Sequence, residues 1–167
     1  MIFDLINMQK LRRGAIYAVY MLLVLALQEL VLSRLSFFGV HTLVVPAAVV
    51  AVGMLEGGVW GGVFGLFAGL LCDMTFGNTA LFAALFPAIG FFSGLLARYF
   101  VNKRFFAYMA VCLLGLAVTA FFQFFRLWVF MDQPFGPLFV TALLQTLWSL
   151  PFAALLYSPC KGIAGVK

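Results

Sequence analysis

Six continuous apolar stretches, each about 20 residues long, occupy most of this 167-residue chain. A membrane-spanning helix needs about 20 such residues, whereas the strands of a membrane barrel alternate apolar and polar residues. Only 9% of the residues are charged, although a soluble domain carries about 25%. We therefore predict an all-α, polytopic integral membrane protein, a six-helix bundle that forms a single transmembrane domain over residues 1–167. The predicted spans are about 14–32, 37–55, 57–75, 79–97, 106–126 and 137–157.

A Glu-Gly-Gly turn alone divides the second span from the third, so a re-entrant hairpin is an alternative there.

Basic residues orient the bundle, because Lys and Arg are retained on the cytoplasmic side of short loops. Eight of the ten fall in the two tails and in the loop between the fourth and fifth spans, and only Arg34 and Arg126 fall elsewhere. Both termini are therefore predicted to be cytoplasmic. An aromatic belt is predicted at this inner boundary. It consists of Tyr17, Trp60, Tyr99, Tyr108 and Tyr157.

A series of glycines recurs every four residues in the third span, EGGVWGGVFGLFAGLLCD, and the fourth span repeats the spacing. The residues are Gly57, Gly61, Gly65 and Gly69, followed by Gly90 and Gly94. Positions four apart share one side of a helix, so the series forms a groove without side chains, where another helix backbone can approach closely. The groove serves either packing within the chain or binding of a partner or second copy.

Polar side chains gather at the predicted outer end of the spans. They are Gln28, Glu29, Arg34, Asp73, Gln123 and Arg126. Polar groups within a membrane are costly and often functional. We predict an ion-pair and amide network in this outer polar layer, which either fixes helix packing or forms a substrate or partner site. No acidic residue is predicted at mid-membrane, so the sequence does not suggest a proton or ion pathway.

The sequence offers little for catalysis or for metal binding. His41 is the only histidine, and the serines lie outside any G-x-S-x-G motif. No H-E-x-x-H motif or phosphate-binding loop is present. The cysteines, Cys72, Cys112 and Cys160, lack metal-ligand spacing. We predict no enzyme activity, no catalytic residues, no metal and no cofactor.

Three stretches carry a family resemblance: GVHTLVVPAAVVAVGMLEGGVWGGVFGLFAGLLCD at 39–73, GNTAL at 77–81 and IGFFSGLL at 89–96. They resemble the rod shape-determining protein MreD family, in which a Gly-rich third span ends in G-L-L-x-D and the fourth carries G-x-x-x-G-x-L. The positions that match are Gly57, Gly69, Leu70, Leu71, Asp73, Gly77, Gly90 and Gly94. His41-Thr42 departs from the pattern, because many members have a Pro-Asp or similar polar pair there.

The resemblance implies a non-catalytic scaffold subunit of the bacterial cell-elongation (rod) complex. Such a subunit is a multi-pass protein of the cytoplasmic (inner) membrane and helps to position peptidoglycan synthesis, which maintains cell shape. The implied partners are MreC and, through it, MreB and the peptidoglycan synthases, a RodA-type glycosyltransferase and a class B penicillin-binding protein. The setting is the lipid bilayer, and no nucleic acid is involved.

The resemblance also leaves an alternative function open. The family's fold is similar to the substrate-binding subunits of energy-coupling-factor transporters, which makes a vitamin-binding transporter subunit the alternative. Prolines within three spans favour that alternative, because a proline can kink a helix and kinked helices can open a central cavity. They are Pro46, Pro87 and Pro151.

Overall fold

The computed structural model describes residues 8–32, 42–76, 80–99, 105–131 and 135–164. These ranges are almost entirely helical, which confirms the predicted all-α class. The helices are α1, Met8–Leu27, continued by a π-helical segment, Gln28–Leu32; α2, Val45–Glu56; α3, Gly58–Phe76; α4, Leu81–Tyr99; α5, Phe105–Met131; and α6, Phe135–Ala164.

Four helices, α3 to α6, are long and apolar enough to cross a membrane. Their spanning windows are Gly58–Thr75, Leu81–Arg98, Phe105–Val129 and Gly136–Cys160. The described chain is therefore a membrane protein. The apolar stretch of α1, Gly14–Leu30, is shorter than these windows. α2 has only 12 residues, about 18 Å of helix, whereas the hydrocarbon core is about 30 Å thick. The count of six spans stays a prediction.

The second predicted span, 37–55, is wrong over residues 42–44, which are not helical. α2 begins only at Val45, and Pro46 lies in its first turn. Proline suits this position because the first helical N–H groups have no partner within the helix. Pro46 therefore starts a helix instead of kinking one. Pro87 and Pro151 do lie inside helices, as predicted, and residues 37–41 lie outside the described ranges.

α2 is the centre of the bundle. Every residue from Val45 to Leu55 is buried, and α2 contacts each of the other five helices. Its sequence, VPAAVVAVGMLE, is apolar on all sides, which is typical of an enclosed helix. Its small and β-branched side chains give α2 a small diameter, so that the neighbouring helices can approach its backbone closely. The centre is therefore filled by protein side chains, where kinked helices would have opened a cavity.

A single residue, Gly57, separates α2 from α3. Its φ of +106° is readily available to glycine but strained for other residues. The chain reverses direction there, and α3 then packs against α4. Asp73 lies near one end of this α3–α4 hairpin and Arg98 near the other. These ends are called the Asp73 end and the Arg98 end.

Candidate functional sites

The glycine series of α3 lies against α4 of the same chain. A methyl group added at Gly65 would lie 2.6 Å from the carbonyl carbon of Phe86, and one at Gly69 would lie 2.7 Å from that of Phe82. Gly61 and Gly90 approach each other so closely that an added methyl on either would clash with the backbone of the other. Contacts of this kind leave no room for a further helix. The predicted groove is thus occupied by packing within the chain.

Gly94 extends this contact to the backbone of Gly57 and Gly58. A methyl group added at Gly94 would lie 2.6 Å from the carbonyl carbon of Gly57 and would clash with the backbone of Gly58. A methyl group added at Gly57 itself would meet no atom within 4 Å. Gly57 therefore contributes only its backbone to this contact, in the turn between α2 and α3. Gly53 of α2 also takes part, since an added methyl there would clash with Gly90.

Asp73 caps the first turn of α4 from the neighbouring helix. Its Oδ1 accepts a hydrogen bond from the N–H of Phe82 at 3.1 Å, and its Oδ2 accepts one from the N–H of Ala83 at 2.7 Å. The first N–H groups of a helix lack partners within it, and a negative charge is favourable at that end of the helix dipole. The buried Asp73 carboxylate therefore joins α3 to the start of α4.

Gln28 has the same role at the start of α2. Its Oε1 accepts hydrogen bonds from the N–H groups of Val44 at 2.9 Å and Val45 at 3.1 Å. Ser149, near the middle of α6, accepts one from the N–H of Leu43 at 3.1 Å. Non-helical backbone at membrane depth must be satisfied by protein groups. Side chains of α1 and α6 supply them here.

The rest of the outer polar layer is less fully placed. Glu29 and Asp73 both lie close enough to Cys72 to interact with its thiol electrostatically, so these two acids lie near the same end of the bundle. Gln123 and Arg126 are half-buried on α5. Arg34 lies outside the described residues, and so does His41. A network that joins all six predicted members stays a prediction.

Three buried tyrosines tie the helices together by hydrogen bonds that the sequence reasoning missed. Tyr17 donates to Oε1 of Glu56 at 3.0 Å, and Tyr20 donates to the carbonyl oxygen of Leu156 at 3.1 Å. Tyr108 donates to the carbonyl oxygen of Ala153 at 2.9 Å. Tyr17 and Tyr108 are each 1% exposed, so their side chains pack inside the bundle, and their depth at the inner membrane boundary stays a prediction. One available signal was that Tyr17 and Tyr20 lie three residues apart and share a helix face.

Among the described residues, this packing leaves open surfaces that include a cleft and a groove. One is a cleft of about 430 Å³ at the Arg98 end. It is lined by the α2–α3 turn and the last turns of α4, including Glu56, Gly57 and Arg98. The other is a groove of about 470 Å³ between α5 and α6, lined almost entirely by apolar residues that include Ala117 and Ala142. We call them the turn cleft and the α5–α6 groove.

Comparisons with known proteins found no matching family model, curated protein or solved structure for this chain. The likeness to the MreD family therefore rests on the sequence stretches that carry it. The function of the chain has to be inferred from its own geometry, above all from the surfaces that its packing leaves open.

Groups that could hold a metal ion were sought among the described residues. No three His, Cys, Asp or Glu side chains come together there. Cys72, Cys112 and Cys160 are buried and free, and they lie in hydrophobic surroundings where a thiol behaves as a small apolar group. The absence of catalysis and of cofactors stays a prediction from the sequence.

Proposed function

We propose that this chain is a non-catalytic scaffold subunit of the bacterial cell-elongation complex, similar to MreD. In this role it binds MreC in the cytoplasmic membrane and, through MreC, works with MreB and the peptidoglycan synthases. The proposal includes six membrane crossings with both termini in the cytoplasm.

The enclosed position of α2 is the observation that carries this proposal. A solute-binding subunit needs a pocket with polar groups that fix its ligand. Here the bundle centre holds the apolar side chains of α2, from Val45 to Leu55. That arrangement favours a protein that acts through its outer surface, and thus a scaffold over a vitamin-binding transporter subunit.

The α5–α6 groove is the surface that we assign to the partner helix. Small side chains at Ala117, Ala142 and Thr146 line the groove together with large ones at Phe121 and Phe139. Phe121 is 58% exposed and Phe139 is 50% exposed. Small residues let membrane helices approach closely, and aromatic residues are enriched where proteins bind each other. The glycine series cannot serve this purpose because α4 covers it.

Co-purification tests the proposal. MreC and the tagged chain are produced together, extracted in mild detergent and captured through the tag. We expect the wild-type chain to retain MreC and Ala117→Phe to lose it, because the larger side chain fills the groove. Ala110→Phe is the matched control, since Ala110 is also exposed on α5 but does not line the groove. MreC is expected to remain bound to this control.

Two outcomes would oppose the proposal. If wild-type chain retains no MreC, the scaffold assignment fails. If Ala117→Phe retains as much MreC as Ala110→Phe does, the α5–α6 groove is not the docking surface. A rise in thermal stability with one compound from a vitamin panel would instead support the transporter alternative.

A further inference from the structure

The turn cleft lies where two apolar helix windows end. One spanning window begins at Gly58 and another ends at Arg98, and both residues line the cleft. The ends of spanning segments mark the boundary between hydrocarbon and headgroups. Trp60, one turn from the cleft, is 37% exposed, as expected for an interfacial aromatic residue. The cleft is therefore open where the polar part of a phospholipid lies.

Two opposite charges line this cleft. Glu56 ends α2 and is half-buried, and the hydroxyl of Tyr17 holds its carboxylate through a hydrogen bond of 3.0 Å. Arg98 lies in the last turn of α4 and is exposed. A guanidinium group binds phosphate oxygens through paired hydrogen bonds. A carboxylate accepts hydrogen bonds from an ammonium group. Together the two side chains match a ligand that carries both groups.

The other walls suit an amphiphile. Val59 is 73% exposed and Phe91 is 42% exposed, and with Leu95 they give the cleft an apolar side. At Gly57 no atom lies within 4 Å of the position that a methyl group would take. On that side of the turn there is open space, so a headgroup can enter the cleft without meeting a side chain of Gly57. An acyl chain can lie along the apolar wall toward the membrane interior.

We propose that the turn cleft binds a phospholipid of the phosphatidylethanolamine type. Arg98 binds its phosphate, Glu56 accepts hydrogen bonds from its primary ammonium, and its acyl chains contact Val59 and Phe91. A lipid with only negative charge meets repulsion from Glu56. The quaternary ammonium of phosphatidylcholine has no hydrogen to donate. This site goes beyond the scaffold role and does not depend on it.

Lipid titration of the purified full-length chain tests the site. Native mass spectrometry in detergent counts bound dioleoyl phosphatidylethanolamine, phosphatidylcholine and phosphatidylglycerol. We expect one tightly bound phosphatidylethanolamine, retained about tenfold more strongly than phosphatidylcholine, as a charged hydrogen bond implies. Equal retention of all three lipids by the wild-type chain would overturn the proposal, and this comparison needs no variant to fold.

Two variants and a control test which part of the lipid headgroup Glu56 and Arg98 each bind. Glu56→Gln keeps an acceptor for Tyr17 and is expected to lower phosphatidylethanolamine affinity to the level of phosphatidylcholine. Arg98→Gln is expected to weaken all three lipids, since each carries a phosphate. Arg126→Gln removes a basic group that does not line the cleft and is expected to leave the lipid preference unchanged. A preference for phosphatidylethanolamine that persists in Glu56→Gln would overturn the assignment.

A soluble headgroup distinguishes a lipid from a free phosphate compound. Glycerophosphoethanolamine carries the same phosphate and ammonium without acyl chains. We expect it to leave the thermal midpoint of the chain unchanged at concentrations where the lipid raises it. Equal stabilisation by this soluble compound and by the lipid would overturn the lipid assignment, because the apolar wall would then contribute nothing.

Discussion

The α3–α4 and α5–α6 hairpins are both built from apolar helices, yet they pack differently. Gly61 of α3 meets Gly90 of α4 backbone to backbone, and Gly65 meets the backbone of Phe86. In the other hairpin, α5 and α6 leave a groove of about 470 Å³, whose lining includes the large side chains of Phe121 and Phe139. Lipid is as apolar as either helix, so the hydrophobic effect does not drive two membrane helices together. Whether they pack without a gap therefore depends on the size of the side chains at their contact.

The hydrogen bonds that join the helices of each hairpin also come from different chemical groups. Asp73 joins α3 to the start of α4 through two hydrogen bonds from a charged carboxylate. Tyr108 joins α5 to α6 through a neutral hydroxyl that donates to Ala153. Charged hydrogen bonds are stronger than neutral ones. The stability of the α3–α4 hairpin should therefore be more sensitive to substitution than that of the α5–α6 hairpin, both at the glycines of its helix contact and at Asp73.

The largest loss of stability is expected for Gly61→Ala. The added methyl would lie 2.6 Å from Cα of Gly53 and would clash with the backbone of Gly90. We expect about 3 kcal/mol of destabilisation, typical of overpacking, measured by unfolding in mixed micelles. Gly62→Ala is the matched control, because its methyl would meet only ordinary contacts at 3.8 Å. Equal stability of the two variants would mean that this contact is not sealed.

Removal of the charged fastening should rank second. Asp73→Ala leaves the N–H groups of Phe82 and Ala83 without their acceptor, and we expect a loss of about 2 kcal/mol in the free energy of unfolding. Asp73→Asn keeps one acceptor oxygen and should fall between this variant and wild type. Thr75→Val is a control in the same turn, since Thr75 bonds only to Leu71 of its own helix. A similar loss in the control would contradict the capping role.

The neutral fastening of α5 to α6 should matter less. Tyr108→Phe removes the hydroxyl that donates to Ala153 at 2.9 Å but keeps the ring. We expect a loss of about 1 kcal/mol, the usual value for a neutral hydrogen bond, measured by the same unfolding assay. If this loss equals or exceeds that of Asp73→Ala, the proposed difference between the two fastenings is wrong.

The smallest effect on stability is expected at the open groove. Ala117 is exposed there, so the Ala117→Phe side chain should fit without displacing backbone. We expect the free energy of unfolding to change by less than about 0.5 kcal/mol, as for most surface substitutions. The thermal midpoint without a partner measures this change. A loss as large as that of Gly61→Ala would show that the groove is closed and would remove the contrast between the hairpins.

Much of the helical framework was predictable because apolar run length and glycine spacing are local signals. The third and fourth predicted spans, 57–75 and 79–97, differ from α3 and α4 by two residues or fewer. α2 was predicted too long, because the apolar run from residue 37 onward does not reveal that Pro46 begins the helix. The position of Pro46 in the first turn sets where α2 begins, and the hydrophobicity of the sequence does not indicate this start.

The candidate sites were less predictable, because their roles depend on neighbours distant in sequence. The spacing of Gly61, Gly65 and Gly69 identified a bare helix face but could not say whether α4 or another protein covers it. Gln28 was recognised as costly in a membrane, yet its partners at Val44 and Val45 belong to another helix. Tertiary hydrogen bonds of this kind carry no periodic signal.

The enclosed α2 has a consequence for biosynthesis. Just before the start of α2, the hydroxyl of Ser149 accepts a hydrogen bond from the N–H of Leu43. Along the side of α2, the hydroxyl of Tyr108 lies 3.4 Å from the carbonyl oxygen of Ala47. Both residues belong to helices that are translated after α2. About 18 Å of helix is shorter than the hydrocarbon core of a bilayer, so we expect α2 to reach its enclosed position only once α5 and α6 are in place. The buried centre of this protein, although it comes early in the sequence, is then among the last parts to be completed.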